Sequence, residues 1–226
     1  MSSDAPSVLL DLDGTLIDSL PGIEASIRAA FHTMSHELDP SLDMAALIGP
    51  PTEVTMQLLL APFGDDRVAE AVAIYRADYG RTGIYDSHPY PGIAQALAAM
   101  KQSGARLYLA TSKRRDFARR ILDHLDLAAL FDGIHGAEEG RDLDHKPELI
   151  ADVIAQHTLA PDRCVMVGDR RYDVIGAHAN RMRAIGVLWG YGTRKELDSA
   201  GADDLVAEPA GLPAAVLAMT ASGRDR

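Results

Sequence analysis

The chain has 226 residues, 47% of them hydrophobic and 24% charged. This composition is too apolar for wholesale disorder, and the length suits one large domain or a domain carrying an insertion. With 33 acidic against 22 basic side chains the net charge is −11, which repels a polyanion and excludes a nucleic-acid polymer as the expected partner. No apolar run approaches the ~20 residues that cross a bilayer. Residues 1–6 lack the basic and apolar segments of a secretory leader, and the single Cys164 permits no internal disulfide. Together these predict a cytoplasmic protein with no membrane partner; nothing in the composition speaks to oligomeric state.

In chain order, Ser7–Leu12 is expected to be a strand, followed at once by Asp13-Gly14-Thr15. From about Pro21 to His88 the pattern is helical, with candidates over Ile23–Met34, Thr52–Leu60 and Arg67–Tyr79 and no convincing strand. Beyond it, short apolar strands alternate with amphipathic helices. The strands are Ala105–Ala110, Arg163–Val167, Ala184–Leu188 and Leu205-Val206; the helices are Pro91–Ser103, Arg114–Leu125, Pro147–His157 and Asp173–Arg181. Such alternation predicts an α/β fold, a Rossmann-like parallel sheet with helices on both faces. Residues 21–88 are then an inserted all-helical cap, and 1–20 with 89–226 form the core.

In an open parallel sheet the binding crevice lies beyond the carboxyl ends of the strands. Four segments place polar residues there: Asp11 with Asp13, Thr111 with Ser112, Lys146, and Asp169 with Asp173. Asp11 and Asp13, two apart after an apolar strand, can face a common site. Carboxylates held together repel unless a cation lies between them or one is protonated. An all-oxygen set without histidine suits Mg²⁺ rather than zinc. A metal beside a carboxylate nucleophile is the arrangement for aspartyl-phosphate chemistry. Lys146, the Thr111 hydroxyl and the backbone N–H groups around Gly14 and Ser112 are suited to phosphoryl oxygens.

Asp11-Leu12-Asp13-Gly14-Thr15-Leu16, Ala110-Thr111-Ser112-Lys113, His145-Lys146-Pro147 and Gly168-Asp169 with Asp173 resemble, in order and spacing, the four motifs of the haloacid dehalogenase superfamily. The resemblance spans essentially the whole chain, with the insertion at the place of a C1-type helical cap. It implies that Asp11 is the nucleophile and that Asp13 protonates the leaving group and then activates water. It implies Mg²⁺ bound by Asp11, the Asp13 carbonyl and Asp169, with Asp173 in support and Thr111 and Lys146 on the phosphoryl group. The second acid, Asp13, points to phosphoryl chemistry on a small phosphorylated metabolite. Arg170, where phosphoglycolate phosphatase-like members usually carry serine, and segments such as Ile48-Gly49-Pro50-Pro51 lean toward the 5′-nucleotidase-like branch. Phosphoglycolate hydrolysis, a sugar-phosphate mutase and a non-catalytic regulator of the same fold are the alternatives.

Arg170 and Pro50 are further candidate substrate contacts. The basic cluster Lys113, Arg114, Arg115, Arg119 and Arg120 is expected to be a solvated helix face paired with Asp116 and Asp123, the alternative being a local field for an anion. Trp189 is expected to pack beneath the cap, Cys164 to be a small core residue, and His145 to be structural or solvent-facing.

Overall fold

The computed structural model describes residues 5–138, 140–141 and 143–221. Six strands, all paired in parallel, make the central sheet: β1 (Ser7–Leu10), β4 (Arg106–Arg114), β5 (Gly133–Ala137), β6 (Cys164–Gly168), β7 (Arg183–Val187) and β8 (Asp204–Val206). Their spatial order is β5-β4-β1-β6-β7-β8, so β1 lies inside the sheet with β4 and β6 on either side.

Alternate side chains of these strands enter two apolar clusters, as the period-2 geometry of a strand requires. Leu9, Tyr108, Ala110, Met166 and Ala184 pack on one face against α6 (Lys146–His157), α7 (Arg171–Ala179) and α8 (Arg194–Ala200). Val8, Leu10, Leu107, Leu109, Val165, Val167 and Ile185 pack on the other, with α4 (Ile93–Gln102), α5 (Arg115–His124) and α9 (Leu212–Ala221). Burial on both faces explains why the strands read as continuous apolar runs.

Between β1 and α4 the chain leaves the sheet. A two-residue strand, β2 (Ile17–Asp18), pairs antiparallel with β3 (His88–Pro89), and between them run α1 (Leu20–Thr33), α2 (Thr52–Leu60) and α3 (Val68–Arg81). Met56, Leu60, Ala71 and Tyr79 make the insertion's buried interior, continuous with the upper face of the core. Among the described residues no helix is long and apolar enough to cross a membrane.

Three details differ from expectation. The first strand stops at Leu10, because the Leu12 carbonyl already accepts from the backbone N–H groups of Thr15, Leu16 and Ile17 and turns the chain. The strand expected to end at Ala110 continues to Arg114, pairing with β5 through an irregular register between Thr111 and Arg114. Strand β5, not among the expected strands, forms one sheet edge.

Candidate active site

Asp11 sits just past β1, its amide held by the Val167 carbonyl at 3.0 Å, which aims the side chain over the carboxyl end of the sheet. Gly14 has φ +78°, and a Cβ there would lie 2.3 Å from Asp169 Oδ2. Only glycine permits both the left-handed turn and the approach of the Asp169 carboxylate. Asp169 follows β6 and is fully buried; its Oδ2 accepts from the Tyr191 and Gly192 amides at 2.8 and 3.3 Å, and its Oδ1 from Thr15 Oγ1 at 3.3 Å. Asp173 on α7 is also buried and accepts from the Arg170 amide at 3.2 Å, closing the first turn of that helix.

Carboxylate oxygens of Asp11, Asp169 and Asp173 all lie within 4.8 Å of one another. Lys146, at the start of α6 and 4% exposed, places its ammonium 2.8 Å from Asp11 Oδ1, 2.7 Å from Asp173 Oδ1 and 2.8 Å from the Ala110 carbonyl. Burial works to strip its proton, but Asp11 and Asp173 outweigh that and hold Lys146 protonated above its usual range. One ammonium does not balance three carboxylates. Burial, with the repulsion of Asp173 added and Lys146 opposing, pushes Asp11 up to about 6. Burial followed by Asp173 and Asp11 pushes Asp169 up to about 8. The unbalanced charge, the all-oxygen donors and the absence of His or Cys from the cluster fit a hard divalent cation.

Asp13 projects into the same cleft, its Oδ1 accepting from Ser19 Oγ at 2.5 Å and from Lys113 Nζ at 2.7 Å. Thr111 is buried, its Oγ1 accepting from the Lys113 amide at 3.2 Å, and Ser112 lies beside it on the cleft wall. The cleft encloses about 890 Å³, including the part open to solvent. Its floor is Asp11, Asp13, Thr111, Ser112, Lys146 and Asp173. Its roof comes from the insertion: Ile23 and Ile27 of α1, Met44 and Leu47 to Pro50 of the following segment, Met56 of α2, and Tyr75 and Tyr79 of α3. Pro50 thus lies on the roof.

Arg170 lines the cleft too, but its guanidinium is taken up. It donates to the carbonyls of Ile48, Ala45 and Ala46, the last two at 3.4 and 3.5 Å, and to Glu196 Oε1 at 3.0 Å, and the residue is 6% exposed. It therefore fastens the roof loop to the core. Gly49 stands against Tyr172 with φ +122°.

Lys113 is the residue that sequence reasoning placed elsewhere. Its side chain is 7% exposed, ion-paired to Asp13 and donating to the Tyr79 hydroxyl at 2.6 Å. Of the rest of the basic cluster, Arg114 ends β4 on the cleft wall and pairs with Asp116, while on α5 Arg115 pairs with Glu138 and Arg120 reaches the Gly80 carbonyl. Trp189 is half-buried and donates to the Thr15 carbonyl at 3.0 Å, bracing the turn after the first acid pair. Cys164 is buried and its thiol is pushed up to about 11 by burial. His145 is exposed.

Residues 8–187 match the family model for haloacid dehalogenase-like hydrolases. A 5′-nucleotidase of Pseudomonas aeruginosa is 37% identical over 194 residues, covering 85% of this chain and 86% of that one. The tyrosine-protein kinase PtkA of Mycobacterium tuberculosis is 38% identical over 192 residues, 84% of this chain but 65% of the longer relative. The crystal structure of a predicted phosphatase from Clostridium acetobutylicum superposes with a TM-score of 0.88 at 32% identity, covering 95% and 99% of the two chains. With this match and the acidic site at the end of its parallel sheet, the chain belongs to the haloacid dehalogenase-like hydrolase family, as a phosphoric monoester hydrolase.

Proposed function

We propose that the enzyme is a Mg²⁺-dependent phosphatase of small phosphomonoesters, nucleoside 5′-monophosphates foremost, working through an aspartyl-phosphate on Asp11. The observation that carries this reading is the convergence of Asp11, Asp13, Thr111 and Lys146 on the floor of one cleft with an apolar roof. Asp11, the Asp13 carbonyl and Asp169 would hold Mg²⁺, with Asp173 behind them, and the bound ion neutralises charge on the transferring phosphoryl group.

The chain's own residues then perform two displacements. An Asp11 carboxylate oxygen attacks phosphorus while the ester P–O bond breaks, and protonated Asp13 gives its proton to the departing alkoxide. Lys146 and the Thr111 hydroxyl hold the phosphoryl oxygens, the ammonium compensating their charge throughout. Asp13, now a carboxylate, takes a proton from water as the water oxygen attacks phosphorus. The Asp11 O–P bond breaks and inorganic phosphate leaves, with Asp13 again protonated. The roof excludes bulk water from this sequence.

The roof favours a nucleotide over phosphoglycolate. A carboxylate on the leaving alcohol calls for an uncommitted cation, whereas Lys113 is paired with Asp13, Arg170 with backbone carbonyls and Glu196, Arg114 with Asp116 and Arg76 with Glu53. The apolar part of the roof, Ile23, Ile27, Met44, Leu47, Met56 and two tyrosine rings, makes a surface for a flat, largely apolar group. The similarity to a 5′-nucleotidase supports the same choice.

The test is phosphate release from nucleoside 5′-monophosphates, phosphoglycolate and sugar phosphates, with and without Mg²⁺, for the wild type and Asp11→Asn. Mg²⁺-dependent release, fastest on nucleotides and lost by at least about 10³-fold in the variant, is the expected result. A variant with most of its activity removes Asp11 as nucleophile. Interconversion of sugar phosphates without release makes the enzyme a mutase.

A further inference from the structure

The cleft contains, among the described residues, a polar group that neither the floor chemistry nor the fold uses. Tyr75 lies on α3 and is 8% exposed, yet its hydroxyl has no hydrogen-bond partner among the described residues. The ring is firmly placed: it stacks on Tyr79 with centroids 5.4 Å apart and planes 15° from parallel. Tyr79 in turn packs edge-on against Phe117. No described residue bonds that hydroxyl, and it opens onto the cleft, where an entering group can reach it. Its neighbour Tyr79, by contrast, is engaged by Lys113. A phenol with no structural bond, held rigid on the roof of a substrate cleft and within electrostatic reach of Asp13 and Lys113, is placed for a ligand.

We propose that Tyr75 is a specificity-determining residue: its phenol donates a hydrogen bond to a sugar-type hydroxyl oxygen of the substrate's organic part, close to the ester bond. The inference rests on the phosphatase reading above and goes beyond it by naming a roof group and what it recognises. Burial holds the phenol protonated well beyond the ordinary range, so it is a donor throughout the working pH range. Ile23, Ile27 and Met56, which line the same cleft, offer that oxygen no hydrogen bond. A substrate lacking it leaves the phenol unpaired inside the closed cleft, which is how a polar contact discriminates more sharply than an apolar one.

The experiment is a cycle between enzyme and substrate. Wild type and Tyr75→Phe are assayed on a ribonucleoside 5′-monophosphate, its 2′,3′-dideoxy analogue, ribose 5-phosphate and phenyl phosphate, with inorganic phosphate as readout. We expect kcat/KM for the hydroxyl-bearing esters to fall about tenfold or more in Tyr75→Phe, and for the dideoxy analogue and phenyl phosphate to change less than twofold. The unfolding midpoint is expected to stay within a degree or two, because the lost hydroxyl bonds nothing in the fold. An equal loss on all four esters, no loss on any, or a variant that fails to fold overturns the proposal. A wild type that releases phosphate from none of them fails the phosphatase reading instead, and the specificity assignment with it.

Discussion

Lys113 Nζ stands 2.7 Å from Asp13 Oδ1 and 2.6 Å from the Tyr79 hydroxyl, so a single buried ammonium joins the second acid of the site to the helical insertion. Asp13 has Ser19 as its other partner, at the point where the chain enters that insertion. The acid is thus held from both sides of the boundary between core and roof.

Lys113→Met keeps the stem and removes the charge. Asp13 then keeps only the Ser19 hydroxyl, and its side chain is free to turn. We expect kcat to fall by about 10–100-fold, within the range a positioned acid–base group contributes. Esters of poorly acidic alcohols, which most need a proton on departure, should suffer more than phenyl phosphate. Steady-state kinetics over a leaving-group series checks this; equal losses across the series would remove Lys113 from the positioning of Asp13.

The acidic cluster makes metal-free stability depend on pH. Folded Asp169 keeps its proton up to about 8, whereas an unperturbed aspartate releases it at 3.8. Between those values the folded chain binds more protons than the unfolded one, so stability falls as pH rises. From pH 6.5 to 8 the expected loss is on the order of 1–2 kcal/mol. Asp11, pushed up to about 6, adds to the fall at the lower end. Thermal unfolding in EDTA should show the decline, and saturating Mg²⁺ should remove most of it and raise the midpoint most at pH 8.

Arg170→Ala removes the donor to three roof carbonyls and leaves Glu196 only the Arg171 amide and guanidinium. Breaking a buried, multiply bonded ion group of this kind costs about 2–3 kcal/mol. We expect a lower unfolding midpoint and a KM raised several-fold at nearly constant kcat, because the roof loop moves while the floor does not. Arg170→Lys should recover part of the stability and little of the KM, since an ammonium cannot reach all three carbonyls at once.

Gly192→Ala tests the second layer around Asp169. A Cβ there would lie 1.8 Å from the Asp169 carbonyl oxygen, and the Gly192 amide is one of the two backbone donors to its carboxylate. Displacing that segment should weaken Mg²⁺ binding by about 10–100-fold, read by calorimetric titration.

Much of this was legible in the sequence because strand ends and apolar runs are local signals. Val8-Leu9-Leu10 and Cys164-Val165-Met166-Val167 announce buried parallel strands, and of the acids that follow them Asp11, Asp169 and Asp173 lie together. Strand β5 was not legible: Gly133-Ile134-His135-Gly136-Ala137 carries two glycines and is only half buried, and nothing but its register with β4 makes it a strand. The same register hid Lys113. Read as the first basic residue of a helix it belongs to solvent, but β4 runs three residues past Thr111, and that extension turns the side chain onto Asp13. Arg170 was visible as a charge beside Asp169; its destination, carbonyls more than 120 residues earlier, belongs to tertiary packing.

Strands β2 and β3 form a narrow neck between the insertion and the core. Ile17 faces Pro89 and Asp18 faces His88, so the insertion leaves and rejoins the core across a ladder of two residue pairs, with ends about 5 Å apart. Every strand of the central sheet lies outside that interval. A short turn could therefore replace the insertion and still return the chain to α4 in register, and a different insertion could be spliced between the same two points. The chain separates what it does from what it does it to: replacing one continuous stretch would give the same acids a new diet.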